Sequence, residues 1–264
     1  MDLYTKETLI EKLKEIAAMG FIPNARKGNH GGIGNTLEDL LGIEENNLPI
    51  PNAAEWELKT QRLKTSALNT LFHVEPSPRA VKFVPSILLP NYGWKHKRAG
   101  EKYPETEMSF RQTIHGNSSS SRGFKVIVDK KNEKVLISFN ADEVSDQNKD
   151  WLKSVKKRVG NLNELEPQPY WGFEDLKHKV GAKLHNCFFV QAEVKKIEGV
   201  EHYRYCKVQM LQSLNFKGFL EELENANILV DFDARTGHNH GTKFRLRRNR
   251  FPNLYKKSTV IIDE

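Results

Sequence analysis

The sequence is poor in cysteine. Among 264 residues only Cys187 and Cys206 occur, far too few for a disulfide framework and in keeping with a reducing compartment. It also lacks any apolar run of the ~18 to 20 residues that a membrane helix requires. Its first residues, MDLYTKETLIEKLKEIAAMGF, scatter charges through an amphipathic pattern instead of building a signal peptide. No membrane partner and a cytoplasmic address are therefore expected. No internal repeat is visible. The glycine-rich segment Gly31-Gly32-Ile33-Gly34 lacks the GK[ST] ending of a nucleotide-binding loop. His185, Cys187, His202 and Cys206 show no C-x2-C or H-x3-H pairing, so a zinc site is not expected and the cysteines read as structural. His238-Asn239-His240 spells HNH, but three adjacent residues cannot do the work of a motif that is spread over a ββα unit.

What is present is an ordinary globular composition, 38% hydrophobic and 28% charged, able to bury a core. The balance of 41 Lys+Arg against 34 Asp+Glu leaves +7, too thin a surplus to argue for nucleic acid by itself. Its distribution says more. KFRLRRNR concentrates Lys243, Arg245, Arg247, Arg248 and Arg250, and a second run holds Lys149, Lys153, Lys156, Lys157 and Arg158. Each reads either as a phosphate-facing surface or as a solvated basic face.

The apolar spacing predicts a helix over Thr5–Met19, and a second one capped by Asn35 or Thr36 that carries Leu37, Glu38, Leu40 and Leu41 to a stop at Gly42. Glu55-Trp56-Glu57-Leu58-Lys59-Thr60 alternates, which reads as a strand with one wet face. Val81–Leu89 reads as an irregular strand with Pro85 in it. Strands are expected at 124–128, 134–139, 187–194, 203–211 and 228–233, with helices at 146–159, 173–180 and 216–225. The prolines of Glu164-Leu165-Glu166-Pro167-Gln168-Pro169 mark the expected boundary between two lobes, 1–165 and 166–264. The order of elements is mixed α+β, neither barrel nor doubly wound sheet.

The sharpest chemical signal is Pro51-Asn52-x4-Glu57-Leu58-Lys59. Two side-chain oxygens and the carbonyl of the residue between acid and lysine can hold a hard cation, and an ammonium two residues along the strand shares the acid's face, where it can steer a water or meet charge building on a phosphate. On its own an E-x-K in a strand also reads as a surface ion pair. Together with Gly31-Gly32-Ile33-Gly34-Asn35-Thr36-Leu37-Glu38-Asp39-Leu40-Leu41-Gly42, the pattern resembles the active-site region of the MvaI/BcnI type II restriction endonucleases and of their relative, the MutH mismatch-repair nickase. Phe72-His73-x-Glu75-Pro76-Ser77-Pro78-Arg79 and Gly237-His238-Asn239-His240-Gly241-x3-Arg245 are similar to further blocks of these endonucleases, so the resemblance spans most of the chain.

The resemblance implies a PD-(D/E)xK nuclease core with a second, recognition lobe and a DNA cleft between them. It implies Mg2+-dependent phosphodiester hydrolysis (Mn2+ substituting) on double-stranded DNA by a monomer, in a bacterial or archaeal cell that also holds the DNA methyltransferase of a restriction-modification system. Glu57 matches the metal-binding acid, Lys59 the catalytic lysine and Glu38 a supporting helix acid, with Asn52 and the Leu58 carbonyl completing the metal set. Asn52 departs from the pattern, which has Asp there: an amide still offers a carbonyl oxygen but brings no charge. Either the chain is an Asp-to-Asn variant that traps uncleaved DNA, or it uses Asn52 and draws charge from Glu38 or Glu55. His30 in the glycine-rich loop is a backbone-contact candidate. Asp233, Arg235, His238, Asn239, His240, Lys243, Arg245 and Arg247 are candidates for base reading, the cations and amides facing guanine or adenine acceptors and the acid a cytosine amino group. A basic loop that touches only phosphate is the other reading. The alternatives in function are an inactive DNA-binding protein on the nuclease fold and a MutH-like nickase.

Overall fold

The computed structural model describes residues 4–26, 32–43 and 55–264. The expected sites at His30 and Asn52 lie outside these residues. Along the chain the elements are α1 (Lys6–Ala18), β1 (Ile22–Pro23), α2 (Gly32–Leu40), β2 (Trp56–Arg62), β3 (Asn69–His73), α3 (Leu89–Tyr92), β4 (Trp94–Lys95), β5 (Met108–Ile114), β6 (Arg122–Asp129), β7 (Lys134–Val144), α4 (Lys149–Val159), β8 (Tyr170–Gly172), α5 (Phe173–Leu184), β9 (Asn186–Ile197), β10 (Val200–Leu214), α6 (Phe216–Glu224), β11 (Ile228–Arg235), β12 (His238–Asn239), β13 (Lys243–Leu246) and β14 (Tyr255–Asp263). The chain forms two compact units, one of residues 1–69, 178–218 and 248–264, the other of 70–177 and 219–247. It passes between them four times, and not once at 165/166 as the prolines suggested. Regular structure does stop at that segment, but the Glu164 carboxylate accepts hydrogen bonds from the Phe139 and Leu165 amides at 2.7 and 2.8 Å, which ties the break back onto β7.

In the first unit the sheet runs β1-β10-β9-β2, with β14 also paired to β10. The Thr5 hydroxyl caps α1 through the Thr8 amide, and the Thr8 hydroxyl answers at the Thr5 amide. Leu9, Leu13 and Ile16 of α1 and Ile33, Leu37 and Leu41 from α2 onward bury one face of the sheet, against Trp56, Leu58, Phe188, Val190, Tyr203 and Tyr205. Because strand side chains alternate, seating Trp56 and Leu58 under the helices turns Glu57 and Lys59 to the opposite face. The α2 helix starts earlier than its expected Asn35 or Thr36 cap and takes in the end of the glycine segment. Ile33, Leu37 and Leu41 recur at helical spacing, and the Tyr205 hydroxyl donates to the Ile33 carbonyl at 2.8 Å. Gly34 permits the close approach to β2: a Cβ there would stand 3.2 Å from Thr60 Oγ1.

The expectation of a wet face on β2 fails, because Glu57 is as buried as its neighbours. β2 pairs in parallel with β9, Glu57 opposite Cys187 and Lys59 opposite Phe189.

The second unit holds the sheet β3-β13-β11-β5-β4, with β12 beside β11, and the three-stranded sheet β6-β7-β8. Phe110, Phe124, Phe139 and Tyr92 meet edge-on and tilted at ring distances of 5.1–5.9 Å in its core. Val81–Leu89 is not a strand. It forms a tight 3-10 turn at Arg79–Val81 and a wider π-helical turn at Val84–Leu88 that leads into α3. Pro85 stands where a first helical turn needs no N–H, and Val84, Leu88 and Leu89 fall on the buried side.

Candidate active site and DNA-reading face

Glu57 and Lys59 form a buried ion pair rather than a surface one. Lys59 Nζ lies 2.7 Å from Glu57 Oε1, with the acid side chain 2% and the lysine side chain 15% exposed. Sequence reasoning missed a third member. Lys183, in the last turn of α5, places Nζ 3.9 Å from the same Oε1 and is 25% exposed. Nothing local in the sequence marks it, since only the return of the chain into β9 beside β2 brings α5 there. Both ammonium groups address Oε1. The second oxygen, Oε2, is buried and has no hydrogen-bond partner among the described residues, an expensive state for a carboxylate.

Beneath the pair lie Cys187 and Tyr255, both buried. Burial pushes the Cys187 thiol up to about 12, against the pull of the Lys59 ammonium. Burial likewise drives the Tyr255 phenol well above its ordinary value. Both groups thus stay neutral, and neither is a nucleophile or an anionic ligand. Cys187 and Cys206 are free thiols in the core, as expected of structural cysteines. Glu38 sits half-buried on α2, the helix that packs against β2. Among the described residues no three His, Cys, Asp or Glu side chains form a metal-binding group. The Oε2 of Glu57, a buried carboxylate oxygen without a hydrogen-bond partner among the described residues, nevertheless fits a hard cation.

The second unit carries a polar lattice on one face of its larger sheet. Along β11 the apolar Val230, Phe232 and Ala234 go inward, which puts Asp231, Asp233 and Arg235 on the outer side. β5 and β13 flank this row with cations. Asp231 accepts from Thr113 Oγ1 and from Arg245, each at 3.0 Å. Asp233 lies 3.4 Å from Arg111 Nε and 3.6 Å from Lys243 Nζ. Arg235 donates to Glu107 at 3.0 Å and lies 4.7 Å from the Tyr103 ring centroid. Arg111 and Thr113 were not among the candidates, because β5 shows too weak an alternation to announce a strand. Beyond the lattice, His238 and His240 stand exposed at the tip of the β11–β13 connection, their rings edge to face at 4.2 Å. Arg247 is set apart, its Nε donating to the Ala226 carbonyl at 2.8 Å. A row of alternating acids and cations on a strand surface offers donors and acceptors at fixed spacing, the chemistry of base edges.

The model of the MvaI/BcnI restriction endonuclease family matches residues 10–255. The chain belongs to this family. It is thereby a sequence-specific type II DNA endonuclease, of a family that works with a divalent metal. This restriction endonuclease is similar to the solved structure of restriction endonuclease MvaI in complex with its cognate DNA substrate, at 26% identity and a TM-score of 0.74, over 98% of this chain and 100% of that one. It is also similar to MvaI in the absence of DNA, at 25% identity and a TM-score of 0.55, over 99% and 100% of the two chains. A comparison with curated proteins gives no match. No helix among the described residues is long and apolar enough to cross a membrane.

Proposed function

We propose that this endonuclease hydrolyses double-stranded DNA with Mg2+ at a centre built from Glu57, Leu58, Lys59 and Asn52, and selects its site through the polar lattice and the His238–His240 turn. The observation that carries the proposal is the buried Glu57 carboxylate, one oxygen held by Lys59 and the other without a hydrogen-bond partner among the described residues. Glu57 Oε2, the Leu58 carbonyl and the Asn52 side-chain oxygen would hold the ion, with Glu38 as a supporting acid. When bound, a divalent metal supplies positive charge that polarises a phosphoryl oxygen and eases ionisation of a water. Lys59 orients the attacking water and offsets charge that builds on the phosphate. Water attacks phosphorus, the bond to the 3′ oxygen breaks, and the products carry a 5′-phosphate and a 3′-hydroxyl. Lys183 adds a second positive charge beside Glu57 and so favours an anionic substrate over an empty site.

In the reading unit, Asp233 with Arg235, Lys243 and Arg245 would read cytosine amino groups and guanine acceptors, while Arg247 and the loop at His30 contact the backbone. The enzyme would act as a monomer in the cytoplasm, with a DNA methyltransferase that protects the host's own sites. Asn52 makes metal binding the weak point, since Glu57 is its only assigned carboxylate besides Glu38.

The test compares the chain with its Asn52→Asp variant on supercoiled plasmid. Linear fragments from both support the proposal, with the variant needing less Mg2+. Tight, selective binding without cutting by the original chain, and cutting by the variant, marks Asn52 as a catalytic loss. Single-strand nicks that depend on a partner and on methylation favour the nickase. If neither protein cuts or binds selectively, the proposal fails.

A further inference from the structure

We infer that Glu75 is a positioning residue for base recognition: it locks the turn of residues 236–242 so that His238 and His240, and not Asn239, are the side chains that read DNA. The inference rests on the reading of this turn as a DNA-contacting element. Glu75 Oε1 accepts from the Thr242 amide at 3.0 Å and from Asn239 Nδ2 at 3.4 Å, and Oε2 accepts from Thr242 Oγ1 at 3.0 Å. Thr242 is fully buried, so without Glu75 its N–H and its hydroxyl would both lose their partner inside the protein. The Val74 amide bonds the Thr242 carbonyl at 3.0 Å, which brings the chain on both sides into register at this point. Gly241 packs onto the same spot: a Cβ there would lie 3.5 Å from Glu75 Oε1 and 3.6 Å from His73 Cδ2, and its φ of +82° is one that side chains disfavour.

Asn239 closes the turn from the other side. Its Oδ1 accepts from the Gly241 amide at 3.0 Å while its Nδ2 donates to Glu75. Both ends of the amide are thus engaged within the turn. His238 and His240 have no such engagement to each other beyond the edge-to-face contact, and both are exposed. The division of labour also explains why the block around Phe72–Arg79 accompanies the block around Gly237–Arg245 in the sequence: the first supplies the carboxylate that shapes the second. Glu75 is half-buried, and both of its oxygens are taken up by donors of the turn, so its role there is to hold the turn and not to meet a base.

The experiment selects binding sites from a randomised duplex library and needs no cleavage, so it is independent of Asn52. It uses the original chain, Glu75→Ala, Glu75→Gln, Asn239→Ala, and the double variant His238→Ala/His240→Ala. Glu75→Ala should lose about tenfold in base preference at the same positions as the histidine double variant, with preference elsewhere in the site kept. A general loss of stability would lower the bound fraction without changing the pattern. Glu75→Gln keeps a carbonyl oxygen for two donors and should restore the preference. Asn239→Ala should weaken preference less than the histidine variant does, at the same positions. Unchanged preference in Glu75→Ala overturns the inference, as does a uniform loss at every position or a failure of Gln to rescue. If the histidine double variant keeps full preference, the DNA-reading role of the turn is wrong. The pinning itself is then read separately, from faster hydrogen exchange of the Thr242 amide in Glu75→Ala but not in Glu75→Gln.

Discussion

Lys59→Met removes the ammonium beside Glu57 and keeps the side-chain stem. At an effective dielectric constant of about 20, a charge pair at 2.7 Å is worth about 6 kcal/mol gross and one at 3.9 Å about 4 kcal/mol. Stranding a buried carboxylate entirely costs about 3–5 kcal/mol net. Lys183 stays in place and recovers part of that, so the expected loss is about 2–3 kcal/mol, or a fall in Tm of ~5–10 °C for a chain of this size. Glu57→Gln is milder, because Lys59 keeps its stem packed and its head can turn toward water. The double variant Glu57→Gln/Lys59→Met leaves no stranded buried carboxylate, only the partly exposed Lys183 ammonium, and should be more stable than Lys59→Met alone, giving a coupling of about 1.5 kcal/mol or more in a double-mutant cycle. All three variants should lose cleavage. Thermal unfolding of the four proteins at one pH and salt concentration supplies every number. A Lys59→Met variant as stable as the parent, or losses that simply add, would refute the buried pair as the organising contact of the site.

Other consequences follow from the charges. Arg245→Ala should cost about tenfold or more in affinity for the preferred sequence and little for random DNA, since Arg245 is held by Asp231 at the lattice; competition binding decides it. Arg111→Ala, at an exposed flanking cation, should reduce the slope of log affinity against log salt by ~1 if it contacts phosphate. His115 titrates below its ordinary value, chiefly because it is buried and then because of the Arg247 charge. The unfolded chain therefore takes up that proton first, and the stability of the unit falls as pH drops through about 6.5 and levels off below the folded value. His115→Gln should flatten this part of the curve in thermal unfolding between pH 5 and 8. Glu201 runs to the opposite end: its hydrogen bond to Arg62 holds the carboxyl below its usual range, so its contribution is present above the unfolded carboxylate pKa and is lost as pH falls through the folded one. Unfolding of Arg62→Met between pH 3 and 6 should lack that acid-side loss.

Much of the fold was legible because its signals are local. The helical spacing of Leu9, Leu13 and Ile16, and the alternation of Asp231, Phe232 and Asp233, each follow from one element meeting one apolar face. Val81–Leu89 misled because an apolar run around a proline suits the start of a helical turn as well as a strand, and burial of Val84, Leu88 and Leu89 decides only in three dimensions. The earlier start of α2 turned on Gly34, whose value lies in contact with Thr60, across the sheet edge. In the site, Glu57 and Lys59 stood two apart in sequence and were found together. Lys183, Arg111 and Thr113 reach their partners only through strand pairing, and no spacing rule announces that.

The measurement that bears most directly on the account is digestion of plasmid and phage DNA by the chain in Mg2+, Mn2+ and EDTA, with the fragment ends sequenced and Glu57→Gln run beside it. Discrete, EDTA-sensitive fragments that share one short sequence and carry 5′-phosphates, absent with Glu57→Gln, are the expected result. Cutting that persists in Glu57→Gln would contradict it, and so would the absence of both cutting and selective binding in the chain and in its Asn52→Asp variant.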